Sequence, residues 1–341
     1  MSKNLLFVIL VAILLFLYLG TFQSSSNTPY RKTIIAMDTY VTTSVYSKDP
    51  QAAFDKVFQI FSDVERKVSF FEEKSALSCL NKRHLIKAGE AGFETLKALL
   101  EITLSYVKET DGYFDPSFAI YQAAYGFYDQ NPRIPADEDI KAIVHLASFQ
   151  NNVHISEEEI KTERGTLINL GGIAGGFALE ECKKALLQKG YENFLIDDAG
   201  DIITEGTKPD GSLWKIGVKD PLDENPNSLA AHIVLPGGKA VSTSGSYERF
   251  IEVEGKKLNH IFDPMTGRPA ESFVSVTVIG DSPIFVDVLS TALFAMPEEK
   301  AISFTENSKI AAFFITADGR RIISESAKNY ITLPKRQNAQ L

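Results

Sequence analysis

Apolar residues recur at helical spacing in two long stretches of the chain. Phe54, Val57, Phe58, Phe61, Val64 and Val68 line one helix face, and Ser69-Phe70-Phe71-Glu72 breaks the period. Leu96, Leu100, Leu104 and Val107 line a second helix over 93–109, which Thr110-Asp111-Gly112 stops. Shorter helices are expected over 75–81 and 136–144. β-branched and alternating runs predict strands instead. These are a strand pair or one bent strand over 33–46 and single strands over 193–196, 214–218, 231–235, 240–243 and 273–279. Glu254-Gly255-Lys256 and Asp318-Gly319 each sit between two such runs and predict hairpins, the second closing the chain. Asp281-Ser282-Pro283 combines a capping side chain with a first-turn proline and opens a helix that runs to about Met296.

Helices and antiparallel hairpins are interspersed, with no internal linker. The pattern predicts one α+β (mixed α/β) domain over 33–335, mixed sheets flanked by helices. Two segments precede it. Residues 5–22 are eighteen nearly all apolar positions after Lys3, long enough to span a bilayer as a helix. A cleaved signal peptide is the rival, with no obvious small-residue cleavage site. Residues 23–32 read as a polar linker. A lone N-terminal apolar segment before a globular domain is most simply the anchor of an exported domain at a bacterial inner membrane, with that domain on the periplasmic or extracytoplasmic side.

Composition narrows the function classes. The 341 residues are 44% hydrophobic and 23% charged, as in a folded soluble domain. The net charge of −9 and pI near 5.2, with no basic stripe, argue against nucleic acid as a partner. Cys79 and Cys182 stand alone in helix-like runs, read as free thiols rather than a pair or a zinc site.

Four stretches carry candidate chemistry. Asn169-Leu170-Gly171-Gly172-Ile173-Ala174-Gly175-Gly176 follows a β-like run (166–170) and precedes a helical run (177–189) that Gly190 caps. It is either a tight strand-to-helix turn or a phosphate cradle on a helix N-terminus. It lacks the Gly-x-Gly-x-x-Gly spacing of dinucleotide dehydrogenases. Asp287 and Thr291, at i and i+4 beside Ser290, put a carboxylate and a hydroxyl on one face of an apolar helix. That is a polar rim of the core or a Mg²⁺ site. Ser242-Thr243-Ser244-Gly245-Ser246-Tyr247-Glu248-Arg249 reads as a hydroxyl-rich loop, a turn or a phosphate seat. His260, in Asn259-His260-Ile261-Phe262-Asp263-Pro264-Met265-Thr266-Gly267-Arg268-Pro269, is a structural histidine or a general base.

Together with Met37-Asp38-Thr39 and Asp111-Gly112-Tyr113-Phe114-Asp115-Pro116, and in this order, these motifs resemble the ApbE family, the FAD:protein FMN transferases, over 37–331. The resemblance implies an ApbE-like fold and Mg²⁺-dependent transfer of FMN from FAD to a threonine hydroxyl of a target flavoprotein, with AMP leaving. By position, it implies metal ligation by the side chains of Asp287 and Thr291 and the carbonyl of Gly172. It places Met37, Phe71, Tyr113, Phe114, Asp115, Asn169, Gly175 and Ile261 at the FAD site, and His260 as the base. The target implied is a membrane redox pump subunit or another exported flavoprotein. Three positions depart from the family pattern. Asn169 stands for its usual aspartate, Gly175 for its lysine or glutamate, and Asp197-Asp198-Ala199-Gly200-Asp201 for a more neutral turn. An FAD pyrophosphatase giving FMN and AMP, and a non-catalytic exported flavin-binding protein, are the alternative readings.

Overall fold

A computed structural model describes residues 28–129 and 131–334. Segment 5–22 lies outside them. Among the described residues no helix is long and apolar enough to cross a membrane.

The chain opens with the hairpin β1 (Tyr30–Ala36) and β2 (Thr39–Val45), followed by α1 (Pro50–Val68), α2 (Ala76–Arg83), β3 (Leu85–Lys87) and α3 (Phe93–Glu109). Strand β1 begins inside the segment read as linker. Next come α4 (Ala119–Tyr125), α5 (Asp137–Ile143), α6 (Phe149–Asn152), β4 (Val153–Ile155) and β5 (Glu159–Thr162). Then follow α7 (Ala174–Gln188), β6 (Phe194–Asp198), β7 (Asp201–Glu205), β8 (Trp214–Lys219), β9 (Leu229–Leu235) and β10 (Ala240–Gly245). The short strands β11 (Phe250–Val253), β12 (Lys256–Asn259), β13 (Phe262–Asp263) and β14 (Arg268–Pro269) lead into β15 (Phe273–Gly280) and α8 (Pro283–Ala295). The chain ends with α9 (Glu298–Asn307), β16 (Ala311–Thr316), β17 (Arg321–Ile323) and β18 (Ile331–Thr332).

Eight strands form the main sheet in the order β1-β2-β6-β7-β10-β15-β16-β17, every neighbouring pair antiparallel. Its strands alternate between two cores, as a pleated strand must. Val276, Val278, Ala312 and Phe314 face the helical core with α1, α7 and α8. Val241, Ile279, Phe313 and Ile315 face a second core, closed by Ile216, Ala231, Ile233 and Leu235 of the small sheet β18-β9-β8. The result is a three-layer α+β arrangement.

Four expectations change. The run 166–170 is not a strand, because a side chain takes the place of a ladder partner. The Asn81 amide donates to the Ile168 carbonyl at 2.8 Å and accepts from its N–H at 2.9 Å. The β16–β17 hairpin does not close the chain, because β18 returns to pair with the edge of β9. Ser242 to Gly245 is not a loop but part of β10, central in the sheet. Strand β7 and helix α9 were not expected at all. The Glu254-Gly255 turn is as predicted, both residues at positive φ (51° and 76°), the twist that a two-residue hairpin needs.

Candidate functional site

Helix α8 sets the site. Ser282 caps it, accepting from Phe285 N–H, and Pro283 fills its first turn. The helix is apolar apart from Asp287, Ser290 and Thr291. Those three lie at i, i+3 and i+4, so they share the face turned to β10. The Ser290 hydroxyl donates to the Asp287 carbonyl and meets Ser242 and Ser244 Oγ at 3.0 and 2.9 Å. Ser244 also reaches Thr291 Oγ1 at 3.3 Å. The serines read as a phosphate seat are therefore spent on holding this helix to the sheet. They fix the rotation that brings Asp287 and Thr291 against the glycine stretch.

The glycine stretch lies against that face. None of its four glycines has positive φ, so the reason for them is close approach. Helix α7 starts at Ala174, earlier than periodicity predicts, and takes Gly175 and Gly176 into its first turn. A Cβ on Gly172 would stand 3.3 Å from the Phe114 ring and 3.4 Å from Thr291 Oγ1. One on Gly175 would meet carboxylate oxygens of Asp198, Asp201 and Asp287 at 3.1, 3.5 and 3.8 Å. The helix N-terminus is not an open anion cradle, because the Gly176 N–H already donates to Asp287 Oδ2 at 2.9 Å. A Cβ on Gly176 would come within 2.7 Å of the Pro283 carbonyl oxygen and 2.9 Å of Ile284 Cα. Gly176→Ala is therefore expected to cost about 1–3 kcal/mol by overpacking and to lower the melting temperature by about 2–6 °C. An unchanged melting curve would show that α7 and α8 are not packed this closely.

Around Gly175 the β6–β7 turn gathers negative charge. Asp198 is buried at 7% exposure, and among the described residues its Oδ1 has no hydrogen-bond partner. Burial, reinforced by Asp201 and Asp197, pushes its carboxyl up to about 8. Burial also raises Asp201, half-buried, to about 6 against a hydrogen bond from Ser242. Asp287, at 5% exposure, is raised well above the usual carboxylate range by burial first and then by Asp201. Glu248, three residues after β10, is shifted upward by desolvation and by Asp201. Arg249 is the cation that opposes these shifts at Asp198 and Glu248. These carboxyls therefore keep their protons above the usual carboxylate range, and Arg249 offsets only part of the charge they would carry once ionised.

Hard oxygen donors with uncompensated charge fit a divalent cation. The Gly176 bond uses one Asp287 oxygen, Oδ2, and among the described residues no donor to Oδ1 is found. Thr291, one turn on along α8, lies against Gly172, where an added Cβ would meet its Oγ1 at 3.4 Å. Among the described residues no three His, Cys, Asp or Glu side chains form a ready metal cage. The donor set therefore suits Mg²⁺, which takes few protein ligands and completes its shell with water and substrate phosphate.

His260 lies half-buried after β12, its Nδ1 3.0 Å from the Arg249 carbonyl. Donation from Nδ1–H to that carbonyl leaves the Nε2 lone pair free. Desolvation, with Arg249 adding, pushes its pKa down to about 4 against that bond, so the ring is neutral at pH 7. Its own carbonyl accepts from Gln122 Nε2 at 2.8 Å. Asn169 donates from Nδ2 to Tyr128 Oη at 3.1 Å, and Tyr128 donates in turn to Gln122. The Phe71 ring is 63% exposed and meets Tyr128 edge-on at 6.0 Å, beside Phe70.

The remaining expected residues divide. Phe114 is buried against Gly172. Tyr113 is buried under the Lys300 ammonium, 4.6 Å from its ring centre. Asp115 caps a short 3₁₀ turn. Its oxygens already accept from Ser117 N–H and from Phe149 N–H at 2.8 and 2.9 Å, so it shapes the loop from behind. Ile261 is a buried core residue. Met37, at φ 51°, occupies the β1–β2 turn, and the pairing of Val41 with Asp198 puts that turn at the sheet end where the β6–β7 turn lies. Sequence reading missed Tyr128, Gln122 and the role of Asp198, Asp201 and Glu248. The density of acids over 197–201 was the one available signal. Cys79 and Cys182 are free thiols.

A family model described as the ApbE family matches residues 37–314. The FAD:protein FMN transferase of Escherichia coli K12 is 28% identical over 259 residues, 74% of this chain and 73% of that protein. The protein of the same name from Treponema pallidum is 28% identical and covers 85% of both. The solved structure of the ApbE protein of Thermotoga maritima superposes with a TM-score of 0.80 at 29% identity, over 89% of this chain and 99% of that one. The flavinyl transferase ApbE of Pseudomonas stutzeri gives 0.78 at 25% identity, over 88% and 96%. With the match running from the β1–β2 turn into β16, the chain belongs to the ApbE family.

Proposed function

We propose that this chain transfers FMN from FAD to a threonine hydroxyl of a target protein, with Mg²⁺ bound at Asp287, Thr291 and the Gly172 carbonyl. The observation that carries the reading is the packing of Gly172 and Gly176 against Thr291 and Asp287, beside a cluster of carboxyls whose burial and crowding hold their pKa values up. An anionic pyrophosphate could not approach four carboxylates unless positive charge stood between them. A Mg²⁺ held by Asp287, Thr291 and the Gly172 carbonyl would supply the positive charge that neutralises the pyrophosphate and stabilises the leaving phosphate. The protein's own groups do the rest. The exposed Phe71 ring offers a face for the flavin, and the glycine wall lets the phosphates come close to the backbone. His260 Nε2 takes the threonine proton while the threonine oxygen bonds to the FMN-side phosphorus. The bond from that phosphorus to the bridging oxygen breaks, and AMP leaves with the electron pair. A pKa near 4 makes His260 a weak base, but neutral at working pH and so always able to accept. The apolar segment 5–22 supports anchorage at an inner membrane with the site on its outer side, where exported flavoproteins or a membrane redox pump subunit would present the threonine.

The test is incubation with FAD, Mg²⁺ and a threonine-bearing target, followed by denaturation. Flavin fluorescence should stay with the target. Free FMN and AMP without labelled target would make the chain a pyrophosphatase, and intact FAD would leave it a binding protein. His260→Ala should lower transfer by about 10²–10⁴-fold while FAD still binds. Transfer at the unaltered rate would remove His260 from the chemistry.

A further inference from the structure

We propose that Tyr128 is a positioning residue that fixes the His260 loop and the glycine turn relative to each other through a one-way chain of hydrogen bonds. The proposal rests on the reading of His260 as the base. The Gly171 N–H donates to Asn169 Oδ1 at 3.0 Å, and Asn169 Nδ2 donates to Tyr128 Oη at 3.1 Å. The Tyr128 hydroxyl donates to Gln122 Oε1, and Gln122 Nε2 donates to the His260 carbonyl at 2.8 Å. The chain spans residues 122 to 260 and joins three separate segments.

Polarity makes it one-way. The Asn169 amide accepts at its oxygen and donates at its nitrogen, and Gln122 does the same. Tyr128 must then accept from Asn169 and aim its proton at Gln122. Burial raises its pKa to about 12, so the hydroxyl stays protonated. Its ring is held independently, 4.6 Å from Phe70 and edge-on to Phe71, so removing the hydroxyl leaves the packing in place. Asn169 is pinned from a further side, its own N–H donating to the Pro116 carbonyl at 3.0 Å. An aspartate at 169 would have the same shape but no donor. The Tyr128 proton would turn to that carboxylate, and Gln122 Oε1 would lose its donor. The His260 loop would then be held by an amide with one end unsatisfied.

Tyr128→Phe and Asn169→Asp break the same chain at two points, so their effects should not add. Each should lower kcat about tenfold, as small misplacement of a reacting group does, with the KM for FAD within about threefold. The double variant should be no slower than the worse single one. A double variant slower by the product of the two losses, about a hundredfold, would overturn the proposal. So would an unchanged kcat in either single variant. A second readout needs no turnover: the pH titration of the His260 ring by NMR in the ligand-free protein. A loosened loop lets water reach the ring, so in Tyr128→Phe its pKa should rise from the depressed value by about half a unit or more. An identical titration in both proteins would overturn the proposal. If the unaltered protein shows no flavin transfer, the functional reading fails, while this titration still decides the positioning claim.

Discussion

Asp287→Ala is expected to abolish flavin transfer, lowering turnover by about 10³-fold or more, and to remove any rise in melting temperature on adding Mg²⁺. The two effects have one origin. Asp287 is the residue where the glycine helix, the acidic turn and α8 meet. One of its oxygens holds the Gly176 N–H, and among the described residues no donor to the other is found. Alanine removes the charge that would hold a cation beside Thr291, so a pyrophosphate would face Asp198, Asp201 and Glu248 unscreened. Asp287→Asn separates chemistry from folding. Its amide oxygen can still accept from Gly176, and it ends the repulsion with Asp201 and Asp198. In metal-free buffer the asparagine variant should therefore melt higher than the unaltered protein while transferring no flavin. Activity above a tenth of normal in either variant would sink the metal assignment. So would an undiminished Mg²⁺ shift in melting temperature.

What was legible in the sequence follows from where each determinant lies. Helices α3 and α8 were read nearly to the residue because their signals are local. The first has an apolar stripe ended by Thr110, and the second opens with Ser282 and Pro283. The start of α7 was misread because its cause is distant. Gly175 and Gly176 are helical glycines whose missing side chains make room for Pro283 and Asp287, more than a hundred residues on. The run 166–170 has strand composition, but its partner is the side chain of Asn81, which no periodicity shows. The hydroxyls of Ser242 and Ser244 stand out in the sequence, but their contact with Ser290 does not, since only the sheet register brings them to it. Asp287, Thr291 and His260 stood out because each is polar in an apolar or turn setting. Tyr128 and Gln122 did not, because a glutamine on a short helix and a tyrosine in the turn after it look like any others until the chain folds back.

The acidic cluster makes a second large prediction, one of stability rather than turnover. In EDTA, the unaltered protein should lose stability relative to Asp198→Asn as the pH rises from about 4 to about 8. The sign follows from linkage. An unfolded aspartate releases its proton near 3.9, whereas folded Asp198 keeps it to about 8. Between those values the folded state binds more protons than the unfolded state, so each step up in pH favours unfolding. The loss begins at the unfolded pKa and is complete once pH passes the folded one. Asp201, with a folded value of about 6, adds to the slope in the lower half of that window. Asparagine keeps the shape of Asp198 but cannot ionise, and Arg249 is too exposed to repay a buried charge. The two proteins should therefore melt together near pH 4 and separate by about 5 °C or more near pH 8, the variant higher. Mg²⁺ should shrink the gap at pH 8, because the ionised cluster is the form that attracts it. A gap that is constant with pH would mean that Asp198 ionises in the folded protein as it does in water. A gap that widens on adding Mg²⁺ would mean that the cation binds away from the cluster.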